Sequence, residues 1–124
     1  MLDASPIIAF AAITNATRAR RFYEETLGLT FVADEPPALV FDAHGTMLRL
    51  AKLPSVAAAP YTVLGWQVAD IAAERDRLAA NGVVFERYPG LPQDELDICT
   101  FPGGARVAWF KDPDGNLLSL TQFA

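Results

Sequence analysis

Basic residues, thiols, imidazoles and long apolar runs are all scarce in this chain, and each scarcity removes a class of protein. Only 10 lysines and arginines face 15 aspartates and glutamates, for a net charge of -5 and an isoelectric point near 4.7. A nucleic-acid-binding domain needs a basic footprint to displace counterions from phosphates, so DNA and RNA are not expected as partners. Nowhere do about 18 apolar residues run together, and no positively charged segment precedes an apolar core, so neither a membrane span nor a signal peptide is expected. The single cysteine, Cys99, rules out a disulfide within the chain and fits a reducing cytoplasm. The single histidine, His44, falls in a predicted turn, where a solvated side chain is expected. No Ser-His-Asp set, P-loop or GxGxxG turn is present.

What is there suits an ordinary globular protein. The 124 residues are 52% hydrophobic and 20% charged, enough to bury roughly 65% of the unfolded surface in one domain or in two small modules sharing a core. Near the C-terminus, the apolar run that ends at Trp109 and Phe110 meets Asp112-Pro113-Asp114-Gly115-Asn116. Proline presets φ, glycine permits φ > 0, and Asp and Asn side chains cap local backbone donors, so this is a turn. Leu117, Leu118 and Leu120 then resume an apolar strand, which makes the stretch a β-hairpin.

Earlier, Ile7–Ile13 is a short, continuously apolar strand. Thr14, Asn15 and Thr17 offer capping oxygens, and Ala16–Leu27 follows as a helix with Ala19, Phe22, Tyr23 and Leu27 on one stripe. Gly28 takes the place of a C′ glycine. Leu29–Ala33, Leu39–Ala43 and Thr46–Leu53 are strands, the last two joined by a tight turn at His44-Gly45. After a proline-bounded, uncharged linker the order recurs. Tyr61–Val68 is a strand, Asp70 caps a helix over Ile71–Asn81, and Gly82 follows it. Val83–Tyr88, Leu96–Phe101, Ala105–Phe110 and Leu117–Phe123 are the remaining strands. Two β-α-β-β-β modules of about sixty residues are the simplest organisation: one domain over 1–124, with module one at about 1–53, a linker at 54–60 and module two at 61–124.

The helix Arg21-Phe22-Tyr23-Glu24-Glu25-Thr26-Leu27-Gly28-Leu29, the segment Val68-Ala69-Asp70-Ile71 through Leu78-Ala79-Ala80-Asn81-Gly82, and Asp112-Pro113-Asp114-Gly115-Asn116 occur in the order found in one family. The chain resembles the vicinal-oxygen-chelate superfamily, which includes glyoxalase I, bleomycin-resistance proteins, fosfomycin-resistance enzymes and extradiol dioxygenases. The resemblance implies an α+β fold of two paired βαβββ modules whose curved mixed sheets enclose a cavity, and it implies dimerisation. Metal-dependent members carry His, Glu or Gln on the first and last strands of each module. Placed by that resemblance, the corresponding positions are Ile8, Arg49, Val63 and Ser119. The first three are not ordinary metal ligands and Ser119 is a poor one, since replacing metal hydration takes oxygen or imidazole donors. Their strand neighbours supply no carboxylate or imidazole either, so no metal and no cofactor is expected.

The same alternation supplies a lining. Period two puts Ile8, Phe10 and Ala12, then Met47, Arg49 and Ala51, on one face of module one. Val63, Gly65 and Gln67, with Leu117, Ser119 and Thr121, fall on one face of module two. Leu48, Leu50, Trp66, Leu118 and Leu120 pack beneath the helices. By resemblance, Trp109 faces the pocket, with a core position as the alternative. Phe10, Met47, Arg49, Gln67, Trp109, Ser119 and Thr121 are therefore the candidate ligand-binding residues; no catalytic residue is identified. Arg49 needs an anionic or carbonyl partner, either a ligand or a structural carboxylate nearby. Cys99 is expected to be a half-buried, inert thiol, and Asp94, Glu95 and Asp97 a solvated acidic loop. The expected function is metal-free binding of an apolar or aromatic small molecule by a cytoplasmic homodimer. The alternatives are a glyoxalase-like lyase or isomerase, or a dioxygenase-like enzyme, with a non-standard site, and a non-catalytic subunit with a vestigial cavity.

Overall fold

The computed structural model describes residues 1–124, which divide into two compact units, Met1–Ala57 and Ala58–Ala124. In the first unit the order is β1 (Ile8–Ile13), α1 (Ala16–Arg20), a π-helical segment (Arg21–Thr26), β2 (Thr30–Asp34), β3 (Ala38–Ala43) and β4 (Thr46–Lys52). In the second it is β5 (Leu64–Gln67), α2 (Ile71–Ala80), β6 (Cys99–Thr100), β7 (Arg106–Lys111) and β8 (Leu117–Gln122). Each unit folds its strands into one four-stranded mixed sheet, ordered β1-β4-β3-β2 and β5-β8-β7-β6. In both, the first strand runs parallel to the last and the other pairings are antiparallel. The fold is α+β, built from two βαβββ modules.

Local chemistry explains the main elements. Asn15 and Asp70 cap the two helices, accepting from the N–H groups of Arg18 and Ala73. Gly28 and Gly82 follow them at φ 79° and 94°, the left-handed stop that a side chain resists. His44 and Gly45 both have positive φ, the two-residue hairpin geometry that matches strand twist. The Asp42 carboxylate secures that turn by accepting from the Gly45 N–H at 3.1 Å.

Four expected elements change length or kind, the first being the strand expected over Tyr61–Val68, which spans only Leu64–Gln67. Ala16–Leu27 is not α-helical throughout. From Arg21 its hydrogen bonds widen to the π pattern, as in Leu27 N–H to Phe22 C=O at 2.9 Å. Phe22 and Tyr23 pack edge to face within this segment, and Tyr23 reaches Phe41 in the sheet. Val83–Tyr88 is not a strand but a single bridge, Phe85 to Phe110. The Gln93 amide takes the backbone groups that a longer ladder would use, donating to Glu86 C=O and accepting from Tyr88 N–H. Leu96–Phe101 shortens to Cys99–Thr100 because the Asp94 carboxylate captures the N–H groups of Leu96 and Ile98. Asp97 then takes φ 63°, outside extended backbone.

Two side-chain environments also depart from expectation. Cys99 is fully buried rather than half-buried, at 1% exposure. Asp97 is not a solvated loop carboxylate. It is 18% exposed and held by Arg87, whose Nη2 lies 2.9 Å away, with Arg75 at 3.5 Å. Both contacts fasten the loop before β6.

Each unit has its own core. Ile13, Tyr23, Leu39, Phe41, Leu48 and Leu50 are buried in the first. Ile71, Leu78, Phe85, Ile98, Ala108, Phe110, Leu118 and Leu120 fill the second. Leu48, Leu50, Leu118 and Leu120 are thus buried as period two predicts, while Trp66 stays partly exposed.

Candidate functional site

In the first unit, strand register sorts the side chains between two faces. Tyr23 packs on Phe41, and Phe41 stands opposite Leu48, so that face belongs to the helix. On the other, Ile8 is opposite Met47, and Phe10 opposite Arg49, which in turn faces Val40. Phe10, Met47 and Arg49 therefore share one face, and Phe10 and Met47 are exposed.

Arg49 has a partner on that face. Its Nη2 donates to Glu35 Oε1 at 2.8 Å. The Arg49 side chain is 23% exposed and that of Glu35 45%. Glu35 stands just past β2 in the connection to β3, where Lys52 Nζ donates to its carbonyl at 2.8 Å. Because water reaches half of Glu35, the pair is screened. Arg49→Met is expected to cost at most about 1 kcal/mol of stability in urea unfolding. A loss of about 3 kcal/mol or more would show that a buried carboxylate had been stranded instead.

In the second unit, α2 packs against β7 and β8, and Gln122 on β8 accepts the Ile71 N–H at its start. Gln122 shares its face with Leu118 and Leu120 by alternation. The opposite face carries Gly65, Ser119 and Trp109 in one cross-strand row, and Gln67, Thr121 and Val107 in the next. Gln67, Trp109, Ser119 and Thr121 therefore also share a face.

Trp109 is the centre of an aromatic group. Tyr88 meets it at 5.6 Å between ring centroids with an 80° interplanar angle, and Phe101 at 6.3 Å and 84°. Trp109 is half-buried, whereas Phe101 is exposed. Glu86 fixes the approach of the Tyr88 loop, its N–H donating to Trp109 C=O at 2.8 Å. Burial pushes the Tyr88 phenol above its ordinary pKa; the Glu86 carboxylate adds to the shift and the Lys111 ammonium opposes it. Lys111 and Glu86 also pair with each other at 3.4 Å.

Tyr88, Phe101 and Glu35 were not among the sequence candidates. Glu35 was foreseeable only as an unnamed carboxylate near Arg49. No periodicity could place Tyr88, because Gln93 and Asp94 set its loop by side-chain bonds.

A concavity of about 310 Å³ lies beside α1 and the π-helical segment, lined by Thr17, Arg20, Arg21, Glu24, Glu25 and Asp34 among others. It contains none of the sequence candidates. Its wall is self-paired in part: Arg20 donates to Glu24 at 3.1 Å and lies over the Phe31 ring at 3.6 Å.

Ile8, Arg49, Val63 and Ser119 stand at the four positions that the resemblance to metal-dependent relatives assigns to ligands. No three His, Cys, Asp or Glu side chains converge to hold an ion. These residues do not fit a metal of the family type. No helix is long and apolar enough to cross a membrane.

Known proteins share this architecture. A lactoylglutathione lyase from Agrobacterium tumefaciens superposes with a TM-score of 0.72 at 18% identity, covering 95% of this chain and 93% of that one. A glyoxalase/bleomycin resistance protein/dioxygenase from Alicyclobacillus acidocaldarius gives 0.72 at 17%, covering 97% and 92%. An antibiotic-binding protein from a Streptomyces species gives 0.69 at 26%, covering 98% of both chains. No curated protein matches the chain in sequence. Residues 8–120 match the sequence pattern of one family, and on that match the chain belongs to the Glyoxalase/Bleomycin resistance protein/Dioxygenase superfamily.

Proposed function

We propose that this protein is a metal-free small-molecule-binding member of the superfamily, of the bleomycin-resistance type, that holds an apolar or aromatic ligand against the helix-free faces of its sheets. The observation that carries the reading is the make-up of those faces. Ile8, Phe10 and Met47 are 46%, 59% and 42% exposed despite being large and apolar. In the second unit the corresponding face presents three aromatic rings beside isolated hydroxyl and amide groups. Apolar and aromatic walls with a few polar groups are the usual make-up of small-molecule sites.

Phe10, Met47, Arg49, Gln67, Trp109, Ser119 and Thr121 are the proposed ligand-facing residues, and no cofactor is assigned. Residue chemistry at the family's metal positions supports metal independence, and the antibiotic-binding relative supports the binding rather than the catalytic branch. We further propose that the two modules act as one domain and that the protein is a homodimer. The outer edges of β1 and β5 are unpaired, and Ile7 is 79% exposed just before β1; edges of this kind are stabilised by partner contacts. The buried thiol of Cys99 suits a cytoplasmic setting. Ligand titration before and after removal of metals tests the reading: binding that survives chelation supports it, and binding that needs a metal overturns it.

A further inference from the structure

We propose that Trp109, Tyr88, Phe101 and Ser119 form a subsite for a planar aromatic ring bearing an oxygen substituent. This rests on the small-molecule-binding reading and names the ligand class for the second unit. Two observations, independent of each other, carry it. The first is the set of rings. Tyr88 and Phe101 stand nearly perpendicular to the Trp109 indole, at 80° and 84°. Phe101 remains 38% exposed, so the group is not sealed into the core. Edges and faces arranged this way attract another ring in offset or T-shaped contact, a preference that saturated rings of equal area do not share.

The second observation is Ser119. It is 6% exposed, directly opposite Trp109 on one side and Gly65 on the other. Its hydroxyl stands on the same face as the Trp109 indole, in the cross-strand row they share. Its Oγ leans over Gly65, where a Cβ would approach to 2.9 Å. The row therefore runs from indole to hydroxyl to bare backbone. A ring resting against Trp109 would bring a carbonyl or phenolic oxygen on its rim to the hydroxyl, and Gly65 leaves the floor low enough for it. The hydroxyl can donate to either group and accept from a phenol.

The test uses full-length protein titrated calorimetrically with three probes, 2-naphthol, naphthalene and cyclohexanol. Wild type is expected to bind 2-naphthol about three- to tenfold more tightly than naphthalene, the gain of one neutral hydrogen bond, and cyclohexanol most weakly. Ser119→Ala should bring 2-naphthol down to the affinity of naphthalene while leaving the unfolding midpoint nearly unchanged. Trp109→Leu should weaken both aromatic probes about tenfold, with Trp109→Phe intermediate and available should the leucine variant fold poorly. A 2-naphthol preference that persists in Ser119→Ala overturns the subsite, as does wild-type affinity in Trp109→Leu. In either case aromatic binding itself would remain, and with it the broader reading. Failure of all three probes to bind at millimolar concentration overturns the subsite. If native mass spectrometry then also finds no organic molecule carried by the purified protein, the broader reading falls too.

Discussion

Asp112→Ala is expected to lose about 3–5 kcal/mol of stability. The Asp112 carboxylate is 5% exposed, and its two oxygens serve at least three donors. Oδ1 accepts the backbone N–H groups of Asp114 and Asn116, each at 2.9 Å, and Oδ2 accepts the Asn116 side-chain amide at 2.8 Å. Asn116 is itself 5% exposed, so water cannot replace those bonds. An unmade buried hydrogen bond costs about 1–3 kcal/mol, and bonds to a charged acceptor lie at the upper end. The backbone depends on the same group: Asp112 N–H donates to Asn116 C=O, and Gly115 N–H to Asp112 C=O, both at 3.0 Å. Asp112→Asn keeps one acceptor oxygen but turns an amide N–H toward the Asn116 amide, so about half the loss is expected. Urea unfolding at unchanged m-value measures both. An alanine variant within about 1 kcal/mol of wild type would show that the turn holds without its carboxylate.

Phe110→Ala is the second large loss, about 3–5 kcal/mol, from lost transfer energy and the cavity left behind. Phe110 is 1% exposed, and its ring centroid lies 5.4 Å from that of Phe85. It also stands opposite Phe85 in the bridge that joins that segment to β7, beside the Glu86 N–H to Trp109 C=O bond. Phe110→Leu keeps most of the volume and should lose about 1.5 kcal/mol. Phe110 points to the helix side of β7 and Trp109 to the other, so Phe110→Leu is expected to leave 2-naphthol binding as in wild type. A loss below about 1.5 kcal/mol in Phe110→Ala would mean that the core collapses around the missing ring.

These two residues illustrate what the sequence makes legible. Asp112-Pro113-Asp114-Gly115-Asn116 announces its turn because the bonds it needs are local, between residues two and four apart. The helix caps and stops at Asn15, Gly28, Asp70 and Gly82 are legible for the same reason. Period two sorted Phe10, Met47 and Arg49, and likewise Gln67, Ser119 and Thr121, onto shared faces, because alternation is a property of each strand alone. What escaped depends on contacts across the chain. Gln93 ends the ladder after Phe85 by bonding Glu86 and Tyr88, and no periodicity encodes that. Asp97 looked like one of three solvated acids until Arg87 and Arg75 closed on it from other segments. Tyr88 reaches Trp109 only because that loop is held in place, so the aromatic group could not be assembled from strand patterns.

We propose that the protein binds a small aromatic molecule without a metal. The most direct measurement is calorimetric titration of 2-naphthol into two samples of full-length protein, one untreated and one dialysed against a chelator. Saturable binding is expected in both, with dissociation constants agreeing within about twofold, which is under about 0.5 kcal/mol. Binding that vanishes on chelation and returns with one equivalent of zinc, nickel or manganese would contradict it.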